Sequence, residues 1–150
     1  MGAHKAVIFF SNDHKHGLML DLPVVSVIQA FLLSSALGEH AVSFCDEPKN
    51  QINICGLLWP DASSFDLCLN RNSFPEIPLA VAENYMLRIG LELKRSGVFI
   101  SVNHEAIAGG QVPVSELAKS VPTLKCTGRS PWWPMAGGWE GYVLETFKTI

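Results

Sequence analysis

Two stretches of one design constrain this chain more than any other feature. Phe65-Asp66-Leu67-Cys68-Leu69 is a short apolar run with one charge, the pattern of a strand buried on both faces. It breaks into Asn70, Arg71, Asn72 and Ser73, residues that hydrogen-bond locally and favour turns. A helix-like run follows, and Gly97 to Val102 then repeats the plan and ends in Asn103-His104-Glu105. Buried strands with polar groups just past their carboxyl ends are how an open α/β sheet builds a ligand crevice.

The flanking segments keep the same rhythm. Leu18-Met19-Leu20 reads as a buried strand ending in Asp21-Leu22-Pro23, and Pro23 suits the first turn of a helix. Val24, Val25, Ile28, Phe31, Leu32 and Leu37 read as that helix's core-facing side, and Gly38 as its stop. Ala41 to Cys45 reads as a second strand, and Ile52 to Leu58 as a third apolar segment. The spacing of Leu79, Ala82, Met86, Ile89 and Leu93 predicts a helix over Leu79 to Lys94. Val114 to Val121 reads as a short helix, and Gly141 to Phe147 as a last strand. Strands alternating with helices predict a single α/β domain with a mostly parallel sheet. Ala6 to Phe10 resists this scheme. A parallel crossover needs about a dozen residues, and Ser11 to Gly17 offers seven. The segment is therefore a helix or an antiparallel edge strand; its residues favour a strand and the α/β rhythm a helix, and the reading adopted is the helix.

Composition narrows the partners. The chain has 150 residues, of which 48% are hydrophobic and only 17% charged, an apolar excess that predicts a homo-oligomer covering part of the surface. A net charge of −3, with 11 scattered Lys and Arg, provides no footprint for nucleic acid. The apolar start is too short for a membrane span or a signal core, so a cytoplasmic protein is expected. Cys45, Cys55, Cys68 and Cys126 are widely spaced without a CxxC pair. They read as buried free thiols in a reducing compartment rather than a metal site.

Taken together, LMLDLP with its helix VVSVIQAFLLSSALG, FDLCLNRNSFPEIP, the helix end LELKRSG, GVFISVNHE and the aromatic tail resemble the S-adenosylmethionine-dependent methyltransferases, and among them the sugar O-methyltransferases. The resemblance spans roughly Gly17 to the carboxyl end. It implies a shortened Rossmann-like fold with helices on both faces of a mostly parallel sheet and an antiparallel carboxyl-terminal strand. It implies S-adenosylmethionine as cofactor and a sugar or similar small molecule as acceptor. Asp21 would then take the ribose hydroxyls, and Asn70, Asn72, Ser73 and Glu76 would lie beside the methyl-donor crevice. His104 and Glu105 would follow the fifth strand as the acid–base pair. The chain departs from the family at one place. Such enzymes open with a strand and a glycine-rich turn that lets the methionine of the cofactor approach, and Gly2 is the only glycine before Gly17. That strand lies centrally, so the sheet must close up differently, fill the gap with the amino-terminal segment, or borrow a strand.

Each candidate residue also has a plainer role. Asp21 can cap the helix beginning at Pro23. Asn70, Asn72 and Ser73 are turn formers, and Glu76 suits a helix amino terminus. An imidazole titrates near neutrality, so His104 can take a hydroxyl proton; yet His104 and Glu105, adjacent in an extended segment, point to opposite faces. Trp132, Trp133 and Trp139 can stack on a sugar, cover the end of the sheet or form a dimer contact.

Overall fold

The computed structural model describes residues 6–11, 16–20, 23–44, 52–55, 65–105, 112–132 and 141–150. In chain order the strands are β1 (Ala6–Ser11), β2 (His16–Leu20), β3 (Val42–Phe44), β4 (Ile52–Ile54), β5 (Phe65–Arg71), β6 (Leu93–His104), β7 (Leu124–Pro131) and β8 (Tyr142–Thr149). The helices are α1 (Pro23–Leu37), α2 (Leu79–Glu92) and α3 (Val114–Ala118), with single 3-10 turns at Glu39–Ala41 and Phe74–Glu76. The strands form one sheet in the order β3-β4-β2-β1-β5-β6-β8-β7. Strands β2 to β7 all point one way; only β1 and β8 run against them.

The amino-terminal segment corrects the helix expected there. Ala6–Ser11 is a strand, antiparallel to β2 on one side and to β5 on the other. Its short link to His16 permits a hairpin but no parallel crossover. Sitting between β2 and β5, it pairs backbone groups of both neighbours that would otherwise be buried without partners. It is an internal strand, not an edge strand, and it fills the central slot that the resemblance left open.

Helix α1 has the boundaries the sequence predicts but turns the other way. Gly38 ends it at φ 97°, donating its N–H to the Ser34 carbonyl at 2.9 Å. Its inward residues are Ser26 and Ala30 (4% and 9% exposed), whereas Val24, Val27 and Phe31 are 67%, 62% and 71% exposed, with Ile28, Leu32 and Leu37 also outward. The expected core face is thus the outer face. Small inward residues let the helix sit close to Ala41, Val42 and Ile54, joined by Met19 and Leu33 in a small cluster.

The opposite face of the sheet carries the main core. Leu18, Leu20, Cys68, Phe99 and Phe147 meet Ala82, Met86 and Ile89 of α2 and Leu117 of α3. Of the predicted stripe, Leu79 is outward, and Leu93 is buried but already belongs to β6. Helix α2 stops at Glu92 because Leu93 is extended (φ −71°, ψ 132°) and pairs with Phe65. The register shifts before Leu67↔Val98, and Lys94 reaches Asp66 at 3.2 Å across that irregularity. The reading of four free thiols is corrected as well. Cys68 is a free, buried thiol, which burial pushes well above its ordinary pKa, and Cys126 is free but exposed. Cys55 is disulfide-bonded.

Candidate functional site

Polar residues converge at the carboxyl ends of β5 and β6. Asn103 organises them. Its Nδ2 donates to Asn70 Oδ1 at 2.8 Å and to Ser101 Oγ at 2.7 Å, and its Oδ1 accepts the Ser73 N–H at 3.0 Å. Asn70 Nδ2 in turn donates to Ser73 Oγ. All four residues are buried, so this is a satisfied internal network that ties the turn after β5 to β6. It consumes Asn70, Ser73 and Asn103 in holding the turn.

The turn itself passes through Asn72 in the left-handed region (φ 54°), a conformation asparagine tolerates better than most residues. Its N–H donates to the Val102 carbonyl at 3.1 Å. Its side chain is more than nine-tenths buried, and Oδ1 has no hydrogen-bond partner. Asn72, Pro75, Glu76, Asn103, His104 and Tyr142 line a cavity of about 260 Å³ at this edge of the sheet. A buried acceptor left unsatisfied costs about 1–3 kcal/mol, a cost that a ligand N–H or O–H would relieve.

Strand β8 holds His104 in this cleft. Register pairs His104 with Tyr142, and the two rings meet edge to face at 5.0 Å and 68°. Gly141, at φ 87°, accepts the Glu105 N–H at 2.8 Å. A Cβ on Gly141 would stand 2.8 Å from His104 Nε2. Only glycine leaves the imidazole this room. We expect Gly141→Ala to push the imidazole away and to destabilise the fold by about 1–3 kcal/mol, checked by the His104 ring signals in NMR and by urea unfolding. Unchanged ring signals would overturn it. Burial, and then the Glu76 charge, raise the Tyr142 phenol above its ordinary value of 10.0 against the opposing charge of Arg71. The phenol is therefore an O–H donor at neutral pH.

Glu105 faces elsewhere. Its carboxylate is bound by Arg129, which also reaches Glu145 Oε1 and Ser115 Oγ, each at 3.4 Å. Burial is the main cause that lifts the Glu145 carboxyl above its ordinary 4.5, opposed by Arg129 and Ser115 and reinforced by Glu105. The folded state thus holds this proton more tightly than the unfolded chain does. The resulting stability is complete below the ordinary glutamate pKa and is lost as pH rises through the raised one. Urea unfolding should show Glu145→Gln gaining on the parent protein as pH rises from below 4.5 to neutrality. A gap that stays constant with pH would overturn this.

Of the residues singled out in the sequence, Asn72, Glu76 and His104 meet at the cleft. Asn70 and Ser73 lie behind it in the network, and Glu105 lies beside it on Arg129. Trp132 is half-buried at the end of β7, its backbone N–H donating to the Tyr142 carbonyl at 3.0 Å. Asp21, Trp133 and Trp139 lie outside the described residues. The sequence reading placed Asn103 among the polar groups that end its strand but gave it no role, and Gly141 and Tyr142 escaped it as site residues, because only the antiparallel register of β8 brings them to His104. Among the described residues no three His, Cys, Asp or Glu come together as a metal site, and no helix is long and apolar enough to cross a membrane.

No family model and no curated protein matches the chain. Solved structures do. An O-methyltransferase family 2 protein from Planctomyces limnophilus, in complex with apigenin, superposes with a TM-score of 0.58 at 11% identity, over 89% of this chain and 42% of that one. The N-methyltransferase NodS from Bradyrhizobium japonicum has a TM-score of 0.52 at 14% identity, over 67% of this chain and 61% of that one. PigF with SAH has a TM-score of 0.52 at 12% identity, over 89% and 43%. The fold is a methyltransferase fold. The chain spans roughly two-fifths to three-fifths of the length of these methyltransferases. The expected α/β class stands: six of eight described strands run parallel, α1 lies on one face and α2 and α3 on the other, and β8 is the antiparallel carboxyl-terminal strand.

Proposed function

We propose that this chain is a methyltransferase-like domain of the sugar O-methyltransferase kind, and that the His104 cleft is its hydroxyl-acceptor site. The buried, unpartnered Asn72 Oδ1 at the carboxyl ends of parallel strands carries the reading, since it calls for a ligand that donates a hydrogen bond. In this reading Asn72 and Glu76 accept from ligand hydroxyls, and the Tyr142 phenol and Gly141 orient His104. His104 then takes the proton of the hydroxyl that reacts. Glu105 acts at one remove, through Arg129, rather than on His104. The tryptophans would supply a stacking wall, Trp132 from the end of β7 and Trp133 and Trp139 from the segment that follows.

S-adenosylmethionine is the cofactor such a domain would use, as a methyl donor. Its fit is tested at the central strand. Because β1 runs antiparallel, it offers its amino end, with Ala6 in register with Arg71, where a glycine-rich turn would extend a strand's carboxyl end. A methionine cradle of the usual kind does not fit on β1, so no methyl-transfer step is derived through the cofactor. Asp21 and the loop from Asn70 to Glu76 are the residues from which any remaining cofactor contact would come.

The reversed β1 favours a second reading: a non-catalytic, homo-oligomeric binding module that keeps the cleft for a small polar ligand. Calorimetric titration separates the two. Saturable binding of both S-adenosylmethionine and a neutral monosaccharide, with the sugar lost in Asn72→Gly, supports the first. Sugar binding with no heat from S-adenosylmethionine or S-adenosylhomocysteine at millimolar concentration supports the second. Binding of neither overturns both.

A further inference from the structure

The cleft beside His104 is short of donors. Asn103 spends both hydrogens of its Nδ2 on Asn70 Oδ1 and Ser101 Oγ. The Asn72 N–H goes to the Val102 carbonyl and the Glu76 N–H to the Ser73 carbonyl, at 3.1 and 3.0 Å. Pro75 has no N–H to give. Acceptors remain. Asn72 Oδ1 is buried without a partner, and the Glu76 carboxylate, once ionised, can only accept.

Charge points the same way. Glu76 is the only Asp, Glu, Lys or Arg among the described lining residues. Arg71 stands outside that lining yet close enough to act on the Tyr142 phenol, where the Glu76 charge has the larger effect of the two. The field at the phenol therefore favours a positive group over a negative one. Tyr142 itself lines the cavity, and a tyrosine ring attracts a cation that comes within about 6 Å of its centre. Size limits what that cation can belong to. Sites for drug-sized ligands run to about 300–1,000 Å³, whereas about 260 Å³ leaves room for one small ring.

We propose that the ligand of this cleft is an amino sugar, whose ammonium group donates to Asn72 Oδ1 and to the Glu76 carboxylate. An ammonium brings three donors to a site rich in acceptors. Its hydrogen bonds are charge-assisted, and so stronger than those of a neutral hydroxyl. An amino sugar also carries hydroxyls on the carbons next to the nitrogen. With the nitrogen held at Asn72 and Glu76, one of these hydroxyls is left to face His104. The ammonium has no lone pair, so it is the anchor and the hydroxyl is the group that reacts. Glu76 is exposed, and solvent screens its charge, which keeps the preference for the cation moderate. The inference rests on the reading of the cleft as a sugar site and adds the charge that the sugar carries.

Calorimetric titration of the full chain with D-glucose, D-glucosamine and N-acetyl-D-glucosamine near neutral pH tests it. Glucosamine should bind about tenfold more tightly than glucose. N-acetylglucosamine, which keeps the nitrogen but not the charge, should bind no more tightly than glucose. Glu76→Gln keeps an acceptor oxygen and removes the charge, so glucosamine and glucose should then bind almost equally. Raised salt should shrink the same preference on the parent protein, a measurement that serves where Glu76→Gln does not fold. Glucose or N-acetylglucosamine binding as tightly as glucosamine overturns the amino sugar and leaves the sugar site standing. A preference that survives Glu76→Gln or raised salt overturns the charged anchor. Binding of none of the three overturns the sugar site itself.

Discussion

Phe99→Ala should lower the free energy of unfolding by about 3–5 kcal/mol, and the melting temperature by on the order of 10 °C. Phe99 is fully buried at the centre of the sheet. Phe147 stacks on it at 5.4 Å and 22°, and Phe74 meets it edge to face at 6.2 Å and 72°. Truncation removes the middle ring of three and opens a cavity that rigid strands on either side cannot close. Phe74 also begins the 3-10 turn that carries Glu76 into the cleft, so lost packing propagates to the site. Phe99→Leu, which keeps most of the volume, should cost much less. Urea unfolding of both variants checks this; equal losses for Ala and Leu would show that ring stacking, not volume, governs the core.

Asn103→Ala should cost roughly 2–4 kcal/mol while removing hardly any apolar packing. The substitution leaves the Ser73 N–H and Asn70 Oδ1 without the partner that Asn103 gives each of them in a buried setting. The turn holding Asn72 at positive φ then loses its tie to β6. Ligand binding in the cleft should vanish along with the stability. Ser101→Ala, which deletes one acceptor of the same amide, should cost only about 1 kcal/mol. A loss below about 0.5 kcal/mol for Asn103→Ala would mean that water replaces the network and the cleft is not preorganised.

The strand–helix plan was legible where local chemistry and tertiary demand agree. Pro23 and Gly38 mark α1 to the residue, and the apolar runs from Phe65 and Gly97 are the central strands of the second half of the sheet. The orientation of α1 was not legible. The helix is apolar nearly all round, so periodicity cannot choose a face, and the choice falls to the small residues Ser26 and Ala30, which fit close to β3 and β4. The direction of β1 follows from a link length that excludes a parallel crossover, but its central place follows from which neighbours lack partners, a property of the whole sheet. At the site, the polar turn after β5 announced itself. Tyr142 and Gly141 did not, because strand pairing across a long connection brings them to His104.

The central place of β1 also divides the sheet. Among the described strands, pairing order makes β1–β5 the one ladder between a β3-β4-β2-β1 half and a β5-β6-β8-β7 half, while Leu18 and Leu20 of the first half share the main core with the second. That ladder joins residues as distant as Ala6 and Arg71, so it closes late in folding, after the nearer pairings within each half. The cleft residues Asn72, Glu76, His104 and Tyr142 all belong to the second half. In amide exchange that half should form the slower unit, opening apart from the first. The cleft is thus anchored in the second half, and the amino-terminal half reaches it through the β1 ladder and through Leu18 and Leu20 in the shared core.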